Sequence, residues 1–131
     1  MKYILMMNCP KNGYESFGAW PKNDIQAHIA FMHKLNKSLR ESGAFVSAEG
    51  LDSPNQAKRV RAGGDGAPIT DGVFPESKEF LAGYWIVQVE NAEQAYEIAA
   101  RASAAPGPGG APMNMPIEVR QVMSGPPEEF S

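Results

Sequence analysis

Gly83-Tyr84-Trp85-Ile86-Val87-Gln88-Val89-Glu90 is the stretch on which the fold turns. Its Tyr, Trp, Ile and Val side chains suit a pleated surface, so it reads as a strand over 83–90. Successive side chains point to opposite faces, which puts Tyr84 and Ile86 on one side and Trp85, Val87 and Val89 on the other. Both sides are apolar, the mark of a strand covered on each face rather than half in water. A helix follows directly. Asn91 can cap it, and Gln94 stands three residues on, as a capping box requires. Ala92, Ala95, Tyr96, Ala99 and Ala102 then form an apolar face of mostly small residues, suited to close packing on a sheet.

Working outward, Lys2 to Met7 reads as a first strand, also apolar on both sides: Tyr3, Leu5 and Met7 alternate with Ile4 and Met6. Asn8-Cys9-Pro10 ends it. Residues 11–21 read as a mobile loop with Gly13 and Gly18, whose Tyr14, Phe17 and Trp20 pack over the core edge or a ligand pocket. A long helix comes next, capped by Asn23 or Asp24 and ended by Gly43, with Ile25, Ile29, Met32, Leu35 and Leu39 as its apolar stripe. Ala44 to Leu51 reads as a strand stopped by Ser53-Pro54. Ala57 to Arg61 and Ala67 to Thr70 read as a hairpin, because Gly63, Gly64, Asp65 and Gly66 between them tolerate a left-handed backbone. Asp71-Gly72 makes a tight turn, and Pro75 to Leu81 one helical turn. Ala105 to Pro116, rich in Pro and Gly, reads as a flexible linker loop, Ile117 to Met123 as the last strand, and 124–131 as a loose tail beyond a single domain over 1–123.

With the hairpin set aside as an insertion, the order is β-α-β-β-α-β, a ferredoxin-like α+β arrangement. Two helices can cover only one face of such a sheet. The apolar second face then calls for a partner, most simply another copy across a two-fold axis, so a homodimer is expected.

Bulk properties narrow the function. A length of 131 residues suits one domain, and 43% apolar residues suffice for its core. The twelve Lys and Arg are scattered and the net charge is −3. The tightest basic group, Lys58, Arg59 and Arg61, is too sparse for a nucleic-acid footprint, so no nucleic acid is expected as partner. No apolar run is long enough to span a bilayer, and the N-terminal stretch lacks a signal-peptide core. A cytoplasmic, membrane-free location is the expectation. The single cysteine, Cys9, excludes an intrachain disulfide and a cysteine-based zinc cage. No metal site or cofactor is expected.

The segment Thr70-Asp71-Gly72-Val73-Phe74-Pro75-Glu76-Ser77-Lys78-Glu79, followed by Leu81, Gly83 and Tyr84, resembles the signature of YCII-related proteins of the DGPF-motif subgroup. Ile117-Glu118-Val119-Arg120-Gln121-Val122 is similar to the ending common in that group. The likeness runs from about Met1 to Met123, departing at Val73 and Gln121, where the pattern has proline. The resemblance implies a dimeric α+β barrel built from ferredoxin-like protomers. It implies no particular activity, since the wider superfamily holds isomerases, small monooxygenases and haem-handling enzymes.

Candidate site residues follow. His33, on the flank of the first long helix, is a candidate general base and loosely resembles a helix histidine that YCII-related proteins outside this subgroup are proposed to use with an aspartate. Asp71 is its candidate partner. His28, on the apolar face, reads as a packed core histidine. Lys78 and Tyr84 are candidate ligand contacts at a cleft mouth. Arg120 either pairs with Glu118, two residues away on the same face, or points into the cleft. Asp71, Glu76, Lys78 and Glu79 can equally be structural, through turn formation and pairing with Arg61 or Arg120. Two functions stand: a small-molecule-binding or regulatory module, or a cofactor-independent isomerase or lyase working by proton transfer through His33 and Asp71.

Overall fold

A computed structural model describes residues 1–72 and 78–125. Strand β1, Lys2–Pro10, runs into helix α1, Lys11–Gly18, and then helix α2, Lys22–Ser42. Strand β2, Phe45–Gly50, leads into a two-stranded hairpin of β3, Lys58–Ala62, and β4, Pro68–Gly72. Strand β5, Glu79–Gln88, helix α3, Ala92–Ser103, and strand β6, Ile117–Gln121, complete the chain. The main sheet has the order β2-β5-β1-β6 with every neighbour antiparallel. Setting aside the hairpin, which forms its own sheet, this is the ferredoxin-like α+β arrangement that the strand and helix order predicts.

The register explains the core. Tyr3 faces Val87 and Leu5 faces Trp85 across β1 and β5, while Leu5 also faces Val119 on β6. These side chains pack against Leu35 and Leu39 of α2 and against Ala95, Ile98, Ala99 and Ala102 of α3. Leu5 and Val87 are fully buried. Gly43 ends α2 in the left-handed conformation at φ 82°. Asn91 accepts from the Gln94 N–H at 3.0 Å, and the Gln94 side chain accepts from the Glu90 N–H at 2.9 Å, which pins the start of α3.

The opposite face of the sheet carries no helix. Ile4 pairs with Ile86 and Met6 with Tyr84 to make a half-buried apolar strip. Ser47 and Glu49 of β2 flank it on one side, and Arg120 and Glu118 of β6 on the other.

Several elements differ from the sequence reading. Residues 11–18 form a helix rather than a mobile loop: contacts of Phe17 and Trp20 with α2 outweigh the low helix propensity of two glycines. The side chain of Tyr14 lies outside the described residues. Helix α2 starts at Lys22 after Pro21, and Asp24 does not cap it; its carboxylate instead accepts from the Gly109 N–H at 3.2 Å. Ile29 is exposed, because the N-terminal half of α2 covers the chain around Pro106–Gly110 rather than the sheet. On α3 the buried phase runs through Ile98, and Tyr96 points outward. Glu79 to Leu81 are extended, not helical, while residues 75–77 lie outside the described residues, as does the tail from 126. The Pro/Gly segment 105–116 is a built strap. Gly107 N–H donates to Ala111 O, Met113 N–H to Ala105 O, and Ser103 Oγ to Met115 O at 2.6 Å.

Candidate functional site

One feature of the register opens a space beneath the helices. Met7 pairs with Gly83, but the next residue of β1, Asn8, pairs with Leu81, so Ala82 is an extra residue in β5. Such a bulge bends a strand and changes which side chains face inward. Beyond it Phe80, rather than Leu81, stands opposite Cys9. Next to Trp85, Gly83, Ala82 and Gly50 supply no large side chain and form a low floor.

Above that floor lies a cavity of about 550 Å³. Its walls come from the end of β1, from α1, from α2, from the end of β2 and from the strap that follows α3. Trp20 and Trp85, the two tryptophans of the chain, both contribute, as do Met7, Met32, Met113 and Met115. Thioethers and indoles make an apolar surface that adapts to a ligand's shape. Among the described residues, no lysine or arginine lines it.

His28, Met32 and Asn36 follow one another at four-residue spacing along α2, so all three face the cavity from one side of the helix. The His28 ring packs edge-on against Phe17 and Trp20, with centroids 5.5 and 5.8 Å away. Its Nδ1 lies 3.0 Å from the Pro106 carbonyl oxygen. A carbonyl only accepts, so Nδ1 carries the proton of this bond. Asn36 Oδ1 accepts from the Trp85 indole N–H at 2.8 Å. An indole N–H only donates, which fixes the amide orientation and turns the Nδ2 group away from Trp85.

Cys9 lies at the α1 end of the cavity, with its sulfur against Gly13, where any β-carbon would collide with it. Burial pushes its thiol pKa up, and the neighbouring Glu79 carboxylate adds to the rise. The thiolate is therefore disfavoured, which argues against a nucleophile. The folded chain holds this proton more tightly than the unfolded one. Its share of stability is complete below the ordinary thiol range and is lost as pH climbs through the raised value. Native Cys9 should react with iodoacetamide more slowly than a denatured control across roughly pH 7–9, followed by mass spectrometry. Equal rates would show a solvated, activated thiol instead.

The residues singled out from sequence are distributed unevenly around this site. Tyr84 borders the cavity from its position between Gly83 and Trp85 on β5, while strand alternation puts its side chain on the bare face with Met6. His33 is exposed on α2 and does not line the cavity. Asp71 is exposed at the end of β4, opposite Arg59 on β3, and like His33 it is not part of the cavity wall. Lys78 is exposed just before β5, and Glu76 lies outside the described residues. Arg120 does not enter the cavity. Its Nε sits 4.0 Å from Glu118 Oε2 on the solvated face, a contact worth about 0–1 kcal/mol. Among the described residues, no group of three or more His, Cys, Asp or Glu is placed to hold a metal ion, and no helix is long and apolar enough to cross a membrane.

Sequence reasoning missed His28 and Asn36 as cavity residues, along with Met113 and Met115. The spacing of 28, 32 and 36 was a usable signal. The strap carried none, since its course depends on hydrogen bonds to Ala105 and Ser103 rather than on periodicity.

The family model of the YCII-related domain matches residues 1–111. Comparison with curated proteins found no match. Strand β6 lies beyond the matched span yet pairs with β1 in the main sheet.

Proposed function

We propose, for a chain that belongs to the YCII-related family, that it is a small-molecule-binding or regulatory module whose ligand is uncharged and mostly apolar. The observation that carries this reading is the cavity itself: about 550 Å³, walled by both tryptophans and four methionines, with no cationic side chain among its described lining residues. That volume falls within the roughly 300–1,000 Å³ usual for small-molecule sites. The polar lining residues are few, namely Ser16, His28, Asn36, Glu49 and Tyr84. Two of them, His28 and Asn36, are fixed by hydrogen bonds to other elements, which is how an apolar site orients what it holds.

A ligand that binds only the native form must stabilise it, by about 2.7 kcal/mol at a hundred times its Kd. Thermal melts against a panel of neutral aromatic and anionic metabolites test the reading. Neutral aromatic compounds should raise the melting temperature by several degrees and change the emission of both tryptophans. Stabilisation by the anionic compounds alone would sink the idea.

The same proposal includes a homodimer in the cytoplasm, within the DGPF-motif subgroup. Support for the subgroup comes from Thr70-Asp71-Gly72, Lys78-Glu79 and the Ile117 to Val122 ending. Support for the dimer comes from the bare sheet face. Its apolar strip, Ile4, Met6, Tyr84 and Ile86, is bordered by Glu49 and Glu118 on opposite sides and by Arg120, so two copies related by a two-fold axis can bury the strip and match charge at its rims. Ile86→Asp should convert a dimer into a folded monomer in sedimentation measurements. A wild-type chain that sediments as a monomer at high concentration would end this part of the proposal.

A further inference from the structure

Resting on the cavity reading above, we infer that the ligand is a flat aromatic molecule carrying a hydroxyl or ring N–H at one end and a carbonyl-type acceptor at the other. Two side chains of α2 require this polarity. The His28 Nδ1–H is committed to the Pro106 carbonyl, and Pro106 is not part of the cavity wall. A ring whose single proton sits on Nδ1 has the Nε2 lone pair left for the cavity, an acceptor only. A ligand meeting it must bring a donor.

Asn36 is the mirror case. Its carbonyl oxygen is committed to the Trp85 indole N–H, and the described residues give its Nδ2 no partner. The group it has left is a pair of N–H donors, so a ligand meeting it must bring an acceptor. The two positions are eight residues apart on one helix, about 12 Å along its axis. One to two fused rings with substituents at opposite ends fit between them, over the Met32 side chain. The rings of Phe17 and Trp20 beside His28, at 4.8 Å from one another, supply an aromatic wall for the donor-bearing end.

The arrangement fits a neutral ligand and disfavours a carboxylate at the His28 end, since the lone pair there would face a like-signed oxygen. It also gives a reason for the strap. Gly107, whose Cβ position would lie 3.0 Å from Met113 Cγ and 3.8 Å from Trp20, lets residues 106–113 fold tightly enough to bring the Pro106 carbonyl to His28. The strap sets which imidazole nitrogen bears the proton, and thereby which chemistry the ligand must have.

The test uses three probes on the full chain by calorimetric titration: 6-acetyl-2-naphthol, its methyl ether, and 2-acetylnaphthalene. The naphthol should bind about tenfold tighter than the ether or the unsubstituted ketone, the size of one hydrogen bond to an otherwise unpaired group. His28→Phe should abolish that preference. Asn36→Asp keeps an acceptor for Trp85 but removes the N–H donors, and should weaken all three ketones while leaving the hydroxyl preference intact. Equal affinities for naphthol and ether in the wild-type protein would overturn this inference while leaving the apolar-cavity reading standing. No binding by any of the three would overturn both. The wild-type comparison decides the matter even where His28→Phe fails to fold.

Discussion

Leu5→Ala should lower stability by about 3 kcal/mol, from the usual 2–5 kcal/mol for deleting a buried leucine side chain. The residue is fully buried, sits on a central strand, and is flanked across the sheet by Trp85 and Val119, with the Leu35 and Leu39 side chains of α2 in the same core. None of these neighbours can readily collapse into the gap. Trp85 is held by its bond to Asn36, and the strands on either side are fixed by their ladders. For a domain of this size the melting temperature should fall by roughly 10 °C, independent of protein concentration. Ile4→Ala, one residue away on the bare face, removes a similar volume but should behave differently. If two copies bury that face, its cost should be largest where the wild-type chain is dimeric and shrink as dilution dissociates the dimer. Thermal melts of both variants at two concentrations make the comparison. A Leu5→Ala loss below about 1 kcal/mol would mean the sheet is not packed against α2 and α3 as described.

This contrast also shows what was legible beforehand. The alternation in Tyr84 to Val89 and in Tyr3 to Met7 was enough to sort Trp85 and Val87 from Tyr84 and Ile86, and Tyr3 and Leu5 from Ile4 and Met6, because a two-residue period admits only two choices. Which set lies under the helices came from the fold. Gly43, Asn91 with Gln94, and the glycines between Ala62 and Ala67 marked boundaries through local chemistry, and those boundaries stand within a residue or two. Local chemistry carried no record of α1. Gly13 and Gly18 speak against a helix, and the packing that overrides them involves Trp20 and His28, whose contact no window of sequence displays.

The site was harder to read for the same reason. His33 and His28 differ in sequence only by wheel position, and a histidine on the flank looked chemically freer than one on the apolar face. What makes His28 useful is the carbonyl of Pro106, 78 positions further along the chain, inside a segment that reads as a linker. Pairings of this kind come from the closing of the fold. Asn36 is similar: an unremarked amide on a helix acquires a fixed direction only when Trp85 donates to it.

Gly83→Val should affect stability and binding together, because position 83 is both a close approach between strands and the cavity floor. A β-carbon there would lie 2.9 Å from the Glu49 carbonyl oxygen and 3.4 Å from Gly50 Cα, and both are backbone atoms of β2 that cannot rotate away. The neighbouring strand must shift, and overpacking of this kind costs about 1–3 kcal/mol. The two methyl groups beyond that carbon occupy space between Trp85 and Met7, next to the bulge at Ala82. Gly83→Ala separates the two effects, since it adds the strained carbon with little further volume. The alanine variant should lose most of the stability that valine loses yet keep measurable affinity for 6-acetyl-2-naphthol, whereas the valine variant should bind at least tenfold more weakly than wild type. Urea melts and calorimetric titration of the two proteins give both numbers. A valine variant that is destabilised but binds as well as wild type would place the ligand elsewhere than over Gly83. One that is as stable as wild type would show that β2 and β5 do not approach as closely as Glu49 and Gly83 indicate.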